Sequence, residues 1–524
     1  MGFGQRTSRN TTDNADHIPV SIVAMSEPSP RIGTVPTRRR VVTNDLILVF
    51  AVALTARLIW AVLLPPWQAI DETEHFAYAN HIAEQGRVPR IGVIDFYPEY
   101  SLELQRSLEN TAFYPLVRGR VNNVGLIPLP DATVLAPARQ FSASGSVRYD
   151  SGYSRATAYP PLYYLLVAIP DRVLHTAPIV SRLFAMRAFS GLFGALSCLF
   201  AYLTAYDLFH VRRVAWCVGL ATAFLPASAH IAASLNNDAL MDLFAAVLIW
   251  LAVRAVMRGR VSVALLVTAV VCGVLLIVTK PTALPVLLIT ALVIGGIAGR
   301  QIWRVIPTAY RRFVPVTTFA AAVAGVGALV LLYAVVAPFR SVVQTNILVR
   351  YLLAQGETHY SLTAYLRYLA GPLGRSQLWE LYWTFWGWFG WGFAALPFGV
   401  LCVTVPISLV GFAGATLRAI RHPAERRVWW LFLALIVGQI VFLLIGVEYR
   451  LTFSTTGGYF GLTGRYLYPV LIPVVIAIIA GWAHLFRDAP RVWRSAVIVT
   501  FALQLIGWSA VLTRYYDVMI GWIQ

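Results

Sequence analysis

The sequence predicts an all-α polytopic membrane protein, and three observations carry that prediction. Of its 524 residues 58% are hydrophobic and only 13% are charged, about half the charged fraction usual in soluble domains. The mean hydropathy is +0.66. Apolar runs long enough to cross a bilayer core recur near 44–64, 182–208, 214–231, 239–257, 261–279, 282–299, 313–337, 393–417, 428–447, 467–486 and 495–515, which predicts about eleven transmembrane helices.

Charge orients these runs. The chain carries a net charge of +18, which as one patch would suit nucleic acid. Here the arginines instead recur in short clusters between apolar runs, as topology signals do, and nucleic-acid binding is excluded. The segment from Pro160 to Leu174 decides the scheme, because its apolar stretch is too short to span. If it does not cross, the clusters Arg212/Arg213, Arg254/Arg258/Arg260, Arg300/Arg304/Arg311/Arg312, Arg418/Arg421/Arg426/Arg427 and Arg487/Arg491/Arg494 all fall on the cytoplasmic side. If it crosses, all five fall outside. The expected organisation is therefore a disordered cytoplasmic tail over 1–43 and a transmembrane module over 44–337 containing a long first extracytoplasmic loop, 65–181. A second external loop with an interfacial aromatic helix, 338–392, and C-terminal transmembrane helices, 393–524, follow. No cleavable signal peptide is expected, Met25 is an alternative start, and the N-terminus is expected in the cytoplasm. The four cysteines lie in apolar runs without metal-ligand spacing, so no disulfide framework is expected.

Most of the acidic and amide side chains between spans fall on the external side, where any chemistry is expected. In AIDETEHFAY, directly after the first span, Asp71, Glu74, His75 and Tyr78 share one face if the segment is helical. A helix start with a solvated face would explain the carboxylates, but ionisable groups at a membrane mouth point to function. In ASLNNDALMD, Asn236, Asn237 and Asp238 suit the cap of the next helix. Asp71 and Asp238 together would supply one carboxylate to take a proton from an attacking hydroxyl and another to orient the nucleophile or a divalent ion. Lys280 is the only lysine in a chain that otherwise uses arginine. A snorkelling lysine at a helix end is the plain reading. The alternative is a compact point charge meeting a phosphate in the outer leaflet. Arg350 and Arg367 in the second external loop and Arg465 in GLTGRYLYP are further phosphate or substrate contacts.

The order DET, YPPLYYLL, MRAFSG, NND, TKPTALP and GRYLYP resembles the membrane glycosyltransferases of the GT-C superfamily. Within it the chain is similar to the bacterial domain-of-unknown-function 2142 family, and more distantly to protein O-mannosyltransferases and the lipid A aminoarabinose transferase. The resemblance implies a GT-C fold with Asp71 as base and Asp238 as second acid. It further implies that Lys280 binds the donor phosphate and matches Arg187 to the family's arginine opening the second span, a further candidate for that phosphate. With Arg465 as another phosphate candidate, Glu72, Glu74, His75, Tyr78, Asn237, Arg350 and Arg367 are the candidate substrate contacts. His75 beside the acidic stripe leaves a divalent metal cofactor open, with Asp71, His75 and Asp238 as candidate ligands. No large soluble domain is expected after the last span.

The function expected is transfer of a sugar, with inversion, from a polyprenyl-phosphate carrier to a glycan, lipid or protein acceptor of the cell envelope. The expected place is the outer face of a prokaryotic cytoplasmic membrane. A flippase of lipid-linked saccharides is the rival reading, but it would favour inverted repeats and mid-membrane polar groups. A non-catalytic membrane scaffold would have no use for Asp71.

Overall fold

The computed structural model describes residues 38–89, 100–111, 113, 154–305, 359–459, 461–487 and 490–516. Helix α1 (Arg38–Leu63) is the first apolar run and stops before Pro65 and Pro66, since proline disfavours helix at the residue preceding it. Helix α2 (Glu72–Gln85) follows and ends at Gly86, whose φ of 64° is the left-handed cap that glycine takes without strain. Helix α3 (Leu102–Asn110) begins at Ser101, whose hydroxyl accepts the Leu104 amide. Then come α4 (Leu162–Val173), α5 (Ile179–Phe209), α6 (Arg212–Ala223) and α7 (Pro226–Ala232). Next are α8 (Asp238–Arg258), α9 (Val263–Ile277), α10 (Leu284–Val305), α11 (Leu362–Ala370) and α12 (Pro372–Gly387). The chain closes with α13 (Phe398–Arg421), α14 (Pro423–Val441), α15 (Leu471–Leu485) and α16 (Pro490–Tyr516). Among the described residues the only strands are Trp388–Phe389 and Ala394–Ala395, an antiparallel hairpin.

The protein is thus an all-α polytopic membrane protein. Among the described residues eight helices are long and apolar enough to cross a bilayer, or nine if α6 and α7, bent by 66°, form one broken span. Pro226 explains the bend: it opens α7, and Leu225 before it is extended. One of the expected spans differs in kind, and another is untested. Helix α9 has 15 residues, short of the roughly 20 that a span needs, because the chain breaks at Lys280–Pro281. The run 313–337 lies outside the described residues. Helix α14 continues in the wider π geometry through Phe442–Phe453, so helix runs on past the end of the expected span at 428–447.

The core sits between α5, α6 and α8 on one side and α13 with α15 on the other. Helices α13 and α15 approach at Gly411 and Gly414 against Gly481, where any Cβ would meet the facing backbone. Small residues at a crossing are how membrane helices gain contact. Helix α4 has 12 residues and rises about 18 Å, too short for the bilayer core. It buries Tyr163, Tyr164 and Val167 against α2 and α5 and leaves Leu165, Ile169 and Val173 exposed one turn apart. An apolar outer stripe on a short helix is what lying in a bilayer interface requires.

Arg212 pairs with the buried Asp45 at 2.5 Å, which places the starts of α1 and α6 at one end of the bundle. Single cysteines replacing the exposed Arg213 and Arg258 should therefore react with a membrane-impermeant maleimide only after the cytoplasmic side is opened. Labelling of both from outside intact cells would invert the topology.

Candidate functional site

Four breaks in helical structure converge on one cluster of charges. Asp71 precedes α2, Asp238 opens α8, Lys280 lies in the break between α9 and α10, and Arg465 belongs to the 3-10 segment Gly464–Val470 before α15. Arg465 Nη2 donates to Asp71 Oδ2 at 2.7 Å, and its Nε lies 3.9 Å from Asp238 Oδ2. Lys280 Nζ donates to Asp238 Oδ1 at 2.5 Å. The result is an alternating chain of two carboxylates and two cations. Exposure is confined to one end of it: the side chain of Asp71 is 41% accessible, that of Arg465 11%, Asp238 0% and Lys280 2%. One end is open and the other is sealed.

Asp71 has φ 59° and ψ 8°, a left-handed conformation, and it does not cap its own helix. Aspartate tolerates this region better than most residues, yet it is uncommon outside glycine, and such strain concentrates at functional sites. The carboxylate is thereby free to meet Arg465. Burial alone would raise its pKa, but the charge of Arg465 and the Arg465 hydrogen bond outweigh burial and hold it below the usual carboxylate range. Gly464 sets Arg465 in place. Its amide donates to Thr384 Oγ1 at 2.6 Å, and it packs so closely on the Phe385 backbone that no side chain would fit.

Lys280 lies between two rings, 5.0 Å from the centroid of Tyr159 and 5.6 Å from that of Tyr466, where a cation meets the negative face of each ring. Burial disfavours the ammonium, but Asp238 and the two tyrosines more than compensate, and its pKa is raised. Burial likewise pushes the Tyr159 hydroxyl up to about 12. Neither tyrosine was singled out from the sequence, although both stand in the motifs that were, at the edge of YPPLYYLL and inside GRYLYP.

The polar atoms around the cluster are unevenly satisfied. Arg465 Nε and Nη1, Asp238 Oδ2 and both amide atoms of the buried Asn237 have no hydrogen-bond partner among the described residues. Buried polar atoms are normally paired, and each exception asks for an explanation. At 3.9 Å, Arg465 Nε and Asp238 Oδ2 face each other beyond hydrogen-bond reach.

The other expected site residues hold this arrangement up. Arg187 is fully buried, and all five of its N–H groups are taken. Nε and Nη2 donate to Glu72 at 2.7 and 2.5 Å, Nη1 to the Ala61 and Leu64 carbonyls, and Nη2 also to Pro65 O. Arg187 therefore satisfies the orphan carbonyls at the end of α1 and keeps no donor for a phosphate, which corrects the role that resemblance gave it. Glu72 is equally occupied. Besides Arg187 it accepts the Leu235 amide at 3.3 Å, so its carboxylate ties the segment carrying Asp71 to the loop carrying Asp238. Glu74 binds the far side of the first loop, accepting from Tyr100 Oη at 2.8 Å and from the Arg155 amide at 2.6 Å. Burial keeps its pKa raised in spite of these donors. A second buried set, Arg182 with Glu103 and with Asp171 at 2.8 Å, and Asn80 donating to Asp171 at 3.1 Å, fastens α2, α3, α4 and α5 together.

His75 hydrogen-bonds Tyr164 Oη through Nδ1 at 2.8 Å, and Tyr78 stacks on Tyr164 at 3.8 Å. Burial, opposed by the charge of Asp71, lowers the His75 pKa to about 3, and burial raises that of Tyr78. Among the described residues no three His, Cys, Asp or Glu side chains are grouped to hold a metal ion. Asp71 and Asp238 face cations, so Asp71, His75 and Asp238 do not form the ligand set that was left open. Arg367 is exposed on α11, outside the buried cluster, and Arg350 lies outside the described residues.

Two crystal structures of the Archaeoglobus fulgidus oligosaccharyltransferase match this chain in part. The apo form matches with 10% identity and a TM-score of 0.42, over 91% of this chain and 56% of its own. The complex with Zn and sulfate matches with 11% identity and a TM-score of 0.38, over 87% and 53%. This chain spans about half the length of those structures. No curated protein matches it. The family described as "Predicted membrane protein (DUF2142)" matches residues 54–474, most of the sequence and all four members of the charge cluster, and the chain belongs to that family.

Proposed function

We propose that the protein is a GT-C-type glycosyltransferase that moves a sugar from a polyprenyl-phosphate carrier to a hydroxyl of a cell-envelope acceptor, at the outer face of a prokaryotic cytoplasmic membrane. The observation that carries this reading is Arg465, whose Nε and Nη1 lack acceptors while Nη2 holds a half-exposed carboxylate in a left-handed turn. Unpaired guanidinium donors beside a buried ammonium suit the oxygens of a phosphate. A carboxylate at the open end suits a proton acceptor.

In this reading the donor phosphate takes the free nitrogens of Arg465 and draws on the charge of Lys280. Asp71 accepts the proton of the acceptor hydroxyl as that oxygen bonds to the anomeric carbon. The bond from that carbon to the phosphate oxygen breaks with its electron pair, and polyprenyl phosphate leaves. Attack from the side opposite the phosphate inverts the configuration. Arg465 and Lys280 stabilise the charge gathering on the leaving oxygen, which is where fixed cations act most strongly. Asp238 holds Lys280 in place through the 2.5 Å contact.

The test is a purified preparation in liposomes supplied with a labelled polyprenyl-phosphate sugar, followed by mass spectrometry of envelope glycans from cells with and without the protein. Release of polyprenyl phosphate together with loss of one glycan is expected. Unchanged glycans and no release would remove the reading. The pH profile gives a second check. His75, at about 3, stays neutral at working pH, and Asp71, held below the usual carboxylate range, stays ionised. The kcat/KM for donor turnover should therefore show no inflection between roughly pH 5 and 8, where an ordinary histidine titrates. An inflection there that His75→Gln removes would give His75 a proton-transfer role instead.

A further inference from the structure

Far from the charge cluster, a cavity of about 670 Å³ opens between the ends of α8, α10 and α14. Four arginines line it: Arg260 after α8, Arg300 and Arg304 on α10, and Arg427 on α14. Among the described residues that line it none is acidic. The nearest acid along α14, Glu425, is engaged by Arg418 through two hydrogen bonds of 2.8 and 3.1 Å, so it does not neutralise Arg427. All four arginines are exposed, and none of them forms an ion pair among the described residues.

The floor of this cavity has its own pattern. Ile289, Val293 and Ile297 lie one turn apart on α10, and the same face continues into Arg300 and Arg304. One helix face thus passes from apolar to strongly basic over the length at which a bilayer passes from acyl chain to headgroup. Trp430, 63% exposed, stands beside the arginines at the level where tryptophan settles in a membrane interface. The arginine clusters place this end of the bundle on the cytoplasmic side.

We propose that this cavity is a binding site for an anionic phospholipid of the cytoplasmic leaflet, with its phosphate among Arg260, Arg300, Arg304 and Arg427 and an acyl chain along Ile289, Val293 and Ile297. Charge complementarity selects the occupant. Four unneutralised guanidinium groups favour a lipid with net negative charge over a zwitterionic one, whose own cation would be repelled, and the apolar stripe favours a chain-bearing phosphate over a free one. Basic pockets between transmembrane helices on this side are suited to such headgroups.

Native mass spectrometry of the full-length protein in detergent, titrated with phosphatidylglycerol or phosphatidylcholine, tests it. The wild type should retain phosphatidylglycerol in preference. The triple variant Arg300→Gln, Arg304→Gln, Arg427→Gln should lose that preference by about a hundredfold, at roughly fivefold per arginine near an anionic lipid. All three residues are exposed, and an unchanged melting temperature in detergent without added lipid verifies the fold. The paired control Arg491→Gln, Arg494→Gln, at another arginine cluster, should keep the preference. Equal retention of both lipids by the wild type, an equal loss in the control, or displacement of phosphatidylglycerol by millimolar inorganic phosphate would each overturn the site.

Discussion

Asp71→Asn should lower sugar transfer by about a thousandfold, within the range a positioned general base contributes, while leaving the protein folded. The two halves of that expectation rest on different facts. Asparagine is as well suited as aspartate to the left-handed conformation with φ 59°. The residue makes no side-chain cap to α2, so no helix end is lost. The side chain is 41% accessible, and the asparagine carbonyl oxygen can still accept the Arg465 Nη2 hydrogen bond that Asp71 accepts. What disappears is the proton acceptor at the open end of the cluster. Donor binding should survive, because Arg465 keeps the nitrogens assigned to the phosphate. The measurements are transfer rate, donor affinity and melting temperature on the purified variant. Transfer at the wild-type rate would show that Asp71 is not the base, and a large drop in melting temperature would make it a structural counterion of Arg465.

The spans were legible because a bilayer imposes length and apolarity on any helix that crosses it, and the apolar runs obey that rule whatever they pack against. The same rule was blind to the break at Lys280–Pro281 that shortens α9, and to the continuation of α14 past residue 448. Those depend on a proline and on local helix geometry rather than on hydropathy. At the site, Asp71, Asp238, Lys280 and Arg465 could be named because each is an ionisable group at an apolar boundary. Their pairing could not be named. Asp71 and Arg465 are 394 positions apart, and nothing local says which cation meets which acid. Arg187 shows the limit from the other direction. Resemblance marked it as a phosphate ligand, but only the count of its five engaged donors separates a structural clamp from such a ligand. Tyr159 and Tyr466 were missed because a tyrosine near a membrane interface is ordinary until a lysine is found between two of them.

Lys280→Met should lose both stability and donor affinity, and a double variant separates the two losses. In the single variant Asp238 keeps only Arg465 at 3.9 Å and is otherwise a buried carboxylate without a partner, a change that typically costs about 3–5 kcal/mol. Weaker donor binding in that variant is therefore ambiguous, since a loosened site binds poorly for any reason. Adding Asp238→Asn removes the stranded charge, and most of the stability should return. If Lys280 serves only as counterion to Asp238, donor affinity returns with it. If Lys280 also attracts the donor phosphate, affinity stays down by about ten- to a hundredfold, the worth of one hydrogen bond to a charged group. Lys280→Arg adds a test of shape. The space between the Tyr159 and Tyr466 rings, 5.0 and 5.6 Å from the ammonium, holds a point charge, and a planar guanidinium there must displace a ring or turn from Asp238. It should bind donor less well than wild type despite its charge. Wild-type affinity in both the arginine variant and the methionine–asparagine double variant, measured with a polyprenyl-phosphate sugar analogue, would reduce the single lysine of this chain to a counterion for Asp238.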